Sequence, residues 1–307
     1  MPPMRGWSEM ADRSVVLFGA GASYLDGGKD RPPLMRGLFA PLRNRFPDTW
    51  GTVPSNEAPA FSVDFEKAMN EVAASTDLLA EMTTDMALFL GGFVPRPCDE
   101  EPYCRFLRRS TRLIRARRLV VATLNYDCLI ELAAERVGYS FPPYYFRPGD
   151  GLRLLKLHGS SNFIVKQDGI TVKDKLTMKL GSGYDSIIEP CHPRDLTTLL
   201  GRHRFPPAMA LVTPGKPVLS CHRQIEEVQR IYAKEVARAN RVAVIGANPN
   251  DDAHVWNPLV HSKGKIGFVG NEEACGRLAS MREGAETILL DGKLETALDE
   301  LENFLLI

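Results

Sequence analysis

Ser14-Val-Val-Leu-Phe-Gly-Ala-Gly-Ala-Ser23 joins an apolar, β-prone run to a string of small residues. Val15 to Phe18 reads as a strand buried on both faces. Gly19, Ala20, Gly21, Ala22 and Ser23 follow at once. Small side chains let a backbone come close to a ligand and leave its N–H groups uncovered. If a helix starts here, its first N–H groups and its dipole form an anion site. A tight strand–helix turn without any ligand fits the same residues, so the choice depends on the rest of the chain.

Further runs of the same kind recur downstream. Residues 118–124, 152–157, 241–245, 265–269 and 287–290 are predicted strands, with two short ones near 163–166 and 186–189. Helices are predicted after Asp127 as far as Val137, from Gln224 to Asn240, after Asn271, and from Leu294 to Leu306. Apolar strands alternating with helices imply an α/β fold: a Rossmann-type parallel sheet with helices on both faces. Between the first strand and the others the pattern changes. Asp26 to Pro33 is rich in turn residues and reads as a loop over whatever the glycine turn holds. A short helix near Leu34–Phe46 follows. Phe61, Phe65, Met69 and Val72 recur at helical spacing, as do Leu78, Met82, Met86 and Leu90, and 103–115 reads as a further helix. These stripes are helix-packing core. The predicted organisation is a sheet domain built from 1–23 and 116–307, with a smaller, mostly helical insertion at 24–115.

Composition excludes several classes. The 307 residues are 44% hydrophobic and 25% charged, with a formal net charge of zero, which fits a soluble globular protein with no general affinity for nucleic acid. The densest basic run, Arg105 to Arg118, reads as a solvated helix face or a partner contact. No apolar run approaches the roughly 18 residues that span a bilayer. The first twelve residues are charged and lack the apolar centre of a secretory signal. Six scattered cysteines with no CxxC pair point to a reduced, cytoplasmic setting and to no structural zinc. The adjacent pairs Cys191-His192 and Cys221-His222 are poorly spaced for one tetrahedral site, so no metal is expected.

In open α/β sheets, ligands sit beyond the carboxyl ends of the strands. Five such ends carry notable residues here: Gly19 to Ser23, Asn125 with Asp127, His158, Gly246 to Asn248, and Asn271. Each alone has a structural explanation. Asn125 and Asp127 suit helix caps, and His158-Gly159 suits a turn. Their coincidence points to one site.

Gly19-Ala-Gly-Ala-Ser23, Leu124-Asn-Tyr-Asp127 and Lys156-Leu-His-Gly-Ser160, in that order, resemble the three signatures of the sirtuin (silent information regulator) superfamily. Ile245-Gly-Ala-Asn-Pro-Asn-Asp-Asp-Ala-His254 resembles its later cofactor loop. Val63-Asp-Phe-Glu-Lys67 and the Arg31-Pro-Pro33 loop look more like the bacterial sirtuin-like branch than like deacetylases. The resemblance spans about residues 14–291.

The resemblance implies an NAD-binding Rossmann-type domain with a smaller helical module, and NAD consumed as substrate. Carried over by motif, Gly19, Ala20, Gly21 and Ser23 line the NAD phosphates and nearby ribose. Asn125 contacts the nicotinamide ribose and positions the nucleophile, and Asp127 holds the nicotinamide pocket. His158 is the general base, and Gly246, Asn248 and Asn271 support the adenosine half. In the bacterial branch the resemblance implies an NAD hydrolase in anti-phage defence. It also implies assembly, as a homo-oligomer or with a separate partner such as a HerA-like ATPase or a short Argonaute. The chain departs from deacetylases in lacking their four-cysteine zinc module, and in carrying Asp26–Pro33 where they have an Ile-Pro-Asp-Phe-Arg-like segment. A protein deacetylase, an ADP-ribosyltransferase and a non-catalytic nucleotide sensor remain as alternatives.

Overall fold

Six strands form one parallel sheet in the order β3-β2-β1-β6-β7-β8 in a computed structural model of the chain. They are β1 (Ser14–Phe18), β2 (Leu119–Thr123), β3 (Leu154–Lys156), β6 (Arg241–Ile245), β7 (Lys265–Val269) and β8 (Thr287–Leu289). β4 (Phe163–Val165) and β5 (Ile188–Pro190) pair antiparallel in a separate two-stranded sheet, Ile164 opposite Glu189. The structure describes residues 13–25, 27–141, 145, 152–166, 185–202, 205–211, 216–282, 284–290 and 292–306. The charged stretch 1–12 lies outside them, as do Asp26 of the turn-rich loop and 212–215 of the proline-rich stretch.

Side-chain alternation along the strands explains the two-faced burial. In β1, Val16 and Phe18 point into one apolar cluster and Val15 and Leu17 into another, and all four are buried. β6 divides the same way, with Ala243 and Ile245 against Val242 and Val244. A strand apolar at every position needs cover on both sides. Helices Pro102–Arg109, Leu129–Arg136 and Leu298–Leu306 supply it on the first face. Helices His222–Arg238, Ala253–Val260 and Glu272–Met281 supply it on the second.

The segment 103–115, expected as one helix, is two: Pro102–Arg109 and Thr111–Arg115, broken at Ser110. Grouped with the insertion on sequence grounds, these helices pack instead with the sheet. Tyr103 and Phe106 meet Phe18 edge to face at 5.1 and 5.3 Å. Their arginines lie on the outer side. Arg108 pairs with Asp99, and Arg109 with Asp299 and Glu302 of the last helix, so part of the basic run is spent within the chain.

A third apolar cluster forms the smaller module. Helices Phe39–Arg45, Phe65–Ser75 and Leu79–Leu90 pack around Trp50 and Phe61, joined by Leu196 and Leu200 from much later in the chain. Helix Phe65–Ser75 starts where the Asp64 carboxylate accepts the Lys67 N–H at 3.1 Å. Its apolar stripe, Phe65, Met69 and Val72, faces the cluster.

Candidate functional site

Once the separate β4–β5 pair is set aside, the six strands follow the order of a dinucleotide-binding sheet. The chain reverses direction between β1 and β6, and ligands bind at such a switch point. A cleft of about 500 Å³ opens there. All five strand ends named from the sequence line it, with Gly19, Ala20, Gly21, Ser23, Asn125, Asp127, His158, Gly246, Asn248 and Asn271 on its walls.

The glycine turn works differently from the sequence expectation. The Gly19 N–H donates to the Ile245 carbonyl at 2.8 Å, and the Gly21 N–H to the Gly246 carbonyl at 2.9 Å. Ala22 N–H is also paired, to the Gly19 carbonyl. The Gly19 and Gly21 N–H groups therefore join two loops, and the Ala22 N–H closes the turn on itself, rather than standing open to an anion. The following helix, Ala20–Tyr24, is a single turn that Leu25 ends at φ 52°, so it brings little dipole. Glycine is needed for close approach: a Cβ on Gly19 would lie 2.6 Å from the Gly246 carbonyl oxygen.

Asn125 sits at the end of β2 beside this turn. Its Nδ2 donates to the Gly19 carbonyl at 3.0 Å and to Ser23 Oγ at 2.9 Å. A carbonyl only accepts, so the amide orientation is fixed and Oδ1 is left without a partner among the described residues. Ser23 Oγ in turn lies 2.9 Å from the Tyr103 hydroxyl. Arg31 Nε donates to the Ser23 carbonyl, and its guanidinium grips Glu101, Nη1 to Oε2 at 2.8 Å, both side chains fully buried. This ion pair fastens the turn-rich loop to helix Pro102–Arg109 and holds Ser23, and through it Asn125, in place.

Asp127 stands just before the N-cap of the next helix. Its Oδ1 accepts the Leu129 N–H at 3.0 Å, and the other carboxylate oxygen has no bond within the described residues. Lys156, at the end of β3, donates to the Asp127 carbonyl at 2.6 Å and to Glu131 Oε1 at 3.0 Å. Both charged groups are fully buried, and burial pushes the Glu131 carboxyl up against the opposing pull of Lys156. The lysine in the third motif is thus a strut between two site-bearing strand ends.

His158, only 4% exposed, faces a second histidine. Its Nε2 lies 3.0 Å from His254 Nε2 and 3.8 Å from Asp252 Oδ2. Burial pushes the His158 pKa down to about 3. Asp252 and the Leu124 carbonyl pull it upward, and His254 and Lys216 push it down. The ring is a neutral imidazole, not one poised near neutrality as expected for a general base. Burial also lowers His254. Asn250 steadies the carboxylate, its Nδ2 donating to Asp252 Oδ2 at 3.1 Å while its Oδ1 accepts from the Trp256 indole. On the cleft wall toward the small module, Lys216 pairs with Glu66.

Of the residues assigned to the adenosine side, Asn271 caps helix Glu272–Met281, accepting the Ala274 N–H at 2.7 Å, and Asn248 is exposed on the wall. No three of His, Cys, Asp and Glu come together as a metal site among the described residues. His192 instead meets the Glu135 carboxylate at 3.0 Å. Sequence reasoning passed over Tyr103, Glu101 and Lys216, and gave no individual role to Asp252, His254 and Glu66 within the motifs it quoted. The Asp-Ala-His run after β6 was a usable signal for two of them, since it sits at a strand end like the rest. Tyr103 and Glu101, in an arginine-rich helix far away in sequence, carried none.

No family model and no curated protein matches the chain. Among solved structures it is similar to Sir2 homologues. One is a Sir2 homologue in complex with NAD, at 18% identity and TM-score 0.44, covering 97% of this chain and 90% of that one. Another is a mutant Sir2 homologue with ADP-ribose, at 18% and TM-score 0.47, covering 97% and 93%. A third, solved for the mechanism and regulation of Sir2 enzymes, stands at 16% and TM-score 0.49, with the same coverage.

Proposed function

We propose that this protein is a sirtuin-like NAD hydrolase that releases nicotinamide and ADP-ribose. One observation carries the reading. Asn125, with an unspent carbonyl oxygen, and the neutral His158 stand on neighbouring strand ends over one cleft at the switch point of a dinucleotide-binding sheet. A cleft of this size suits a small-molecule ligand.

Breaking the nicotinamide–ribose bond builds positive charge on the sugar, as in glycoside hydrolysis. Nicotinamide leaves neutral with the bonding pair, and a water oxygen bonds to the anomeric carbon. The proton that water loses passes to His158 Nδ1, the ring nitrogen that His254 does not hold, and later returns to solvent. Asn125 Oδ1 accepts from the water or from a ribose hydroxyl and orients it. The free oxygen of Asp127 accepts from the nicotinamide amide. Gly19, Ala20, Gly21 and Ser23 line the pyrophosphate and ribose, and Gly246, Asn248 and Asn271 the adenosine half.

The resemblance to the bacterial sirtuin-like branch supports a role in anti-phage defence by NAD depletion in the cytoplasm. It also supports action as a homo-oligomer or with a HerA-like ATPase or short Argonaute. The test is purified protein incubated with NAD, alone and with co-expressed neighbouring proteins, followed by chromatography for products. Nicotinamide and ADP-ribose in equal amounts are expected, and their loss in His158→Ala and Asn125→Ala. Turnover only with an acetylated peptide would make the protein a deacetylase, and binding without turnover a sensor.

A further inference from the structure

His158 and His254 come from loops whose strands are not neighbours. β3 and β6 stand three spacings apart in the sheet, about 14 Å. The loop after β6 crosses the ends of β1 and β2 to bring His254, in the first turn of helix Ala253–Val260, to Nε2 of His158. The rings lie 5.1 Å apart at 68°, in line for a nitrogen–nitrogen hydrogen bond rather than stacked. At 3.0 Å one Nε2 must carry the proton and the other must offer its lone pair. Each ring therefore dictates the tautomer of the other, and two imidazolium rings are excluded. The Asp252 carboxylate, itself held by Asn250, stands 3.8 Å from the same nitrogen.

A buried imidazole that gains a proton during a reaction needs an acceptor for its N–H and a countercharge. His254 in its acceptor form supplies the first and Asp252 the second. We propose that His254 and Asp252 are a positioning pair for His158, fixing its tautomer and orientation and receiving its N–H once it is protonated. The proposal rests on the hydrolase reading for its catalytic consequence, while the coupling of the rings stands on geometry alone.

Two readouts test it. Imidazole nitrogen chemical shifts of His158 are followed against pH in the wild-type protein, His254→Ala, His254→Gln and Asp252→Asn. The groups facing His158 are Asp252, His254, Lys216 and the Leu124 carbonyl, and Lys216 is paired with Glu66, neither of which the variants alter. Asp252 favours the charged ring, so Asp252→Asn should move His158 titration to lower pH, while His254→Ala and His254→Gln should shift the nitrogen resonances of His158 as its tautomer is released. Steady-state kinetics on NAD should show kcat falling about ten- to a hundredfold in His254→Ala, with KM little changed. His254→Gln, which keeps a donor and an acceptor, should restore part of it and guards against loss of fold in the alanine variant. His158 shifts and titration alike in all four proteins would overturn the proposal. Coupled rings in a wild-type protein that leaves NAD intact would support the positioning pair and overturn the hydrolase reading instead.

Discussion

Gly21 and Gly246 lock two loops of the cleft backbone to backbone, the Gly21 N–H donating to the Gly246 carbonyl at 2.9 Å. Gly246 holds φ +63°, and a Cβ there would lie 2.4 Å from the Ala22 nitrogen. The left-handed conformation alone costs an ordinary residue about 1–2 kcal/mol, and the clash adds to it. Gly246→Ala should lower the melting temperature and weaken NAD binding together, because the same two loops wall the cleft. Thermal unfolding and calorimetric titration with NAD would check both. Wild-type values for either would show that the loops tolerate separation.

Arg31 and Glu101 are a buried ion pair, and the effect of removing it depends on whether one partner or both are replaced. Leaving one charge buried alone costs roughly 3–5 kcal/mol, whereas replacing both by apolar groups is often neutral. Arg31→Met and Glu101→Leu should each destabilise strongly, and the double variant should recover part of the loss, since Glu101 also accepts the Arg96 and Tyr103 N–H groups and Arg31 also donates to the Ser23 carbonyl. Denaturant unfolding of the four proteins gives the coupling. Additive losses would mean that the pair contributes little beyond its separate contacts.

Tyr103 reaches the site only through its hydroxyl, 2.9 Å from Ser23 Oγ. Tyr103→Phe keeps the ring that packs on Phe18 and removes the hydroxyl's bond to Ser23 and its longer 3.5 Å bond from Asn125 Nδ2, each worth at most about 0.5–1.5 kcal/mol. The fold should persist while NAD turnover falls by up to about tenfold, since Ser23 and Asn125 lose a brace. Circular dichroism and product assays would separate the two effects. Unchanged turnover would make the hydroxyl a packing detail.

The sheet was legible because a strand buried on both faces is apolar at every position, and β1, β2, β6 and β7 all are, apart from the charged or polar residues at their ends. The strand-end residues that line the cleft were legible because small and polar residues break those runs abruptly. What was not legible depended on pairing across long separations. Glu101 meets Arg31 seventy positions away, and His254 meets His158 ninety-six away, with no local pattern to announce either. The pairing of the Gly19 and Gly21 N–H groups was hidden for a related reason. A Gly-Ala-Gly run looks the same whether its N–H groups await a phosphate or a second loop, and here that second loop is more than two hundred residues downstream.

Acid should unfold this protein in part through His158. In the unfolded chain the ring takes up a proton near its ordinary pKa of 6.5, and in the folded protein burial holds the value down to about 3. Between those values the unfolded state binds the extra proton, so stability rises with pH across the window. The contribution is complete above about pH 6.5 and drains away as pH falls toward 3. His254 is lowered by burial as well and adds in the same direction. Melting temperature measured from pH 7 to pH 4 should drop, and His158→Gln, which has nothing to titrate, should flatten that drop relative to wild type. Carboxylates that also titrate in the range are common to both proteins and cancel in the difference. The same neutral ring should keep kcat/KM for NAD level as pH passes below 6.5, since that ratio reports groups of the free enzyme. Parallel melting curves for the two proteins, or an activity limb at the ordinary histidine value, would mean that His158 is solvated and titrates freely.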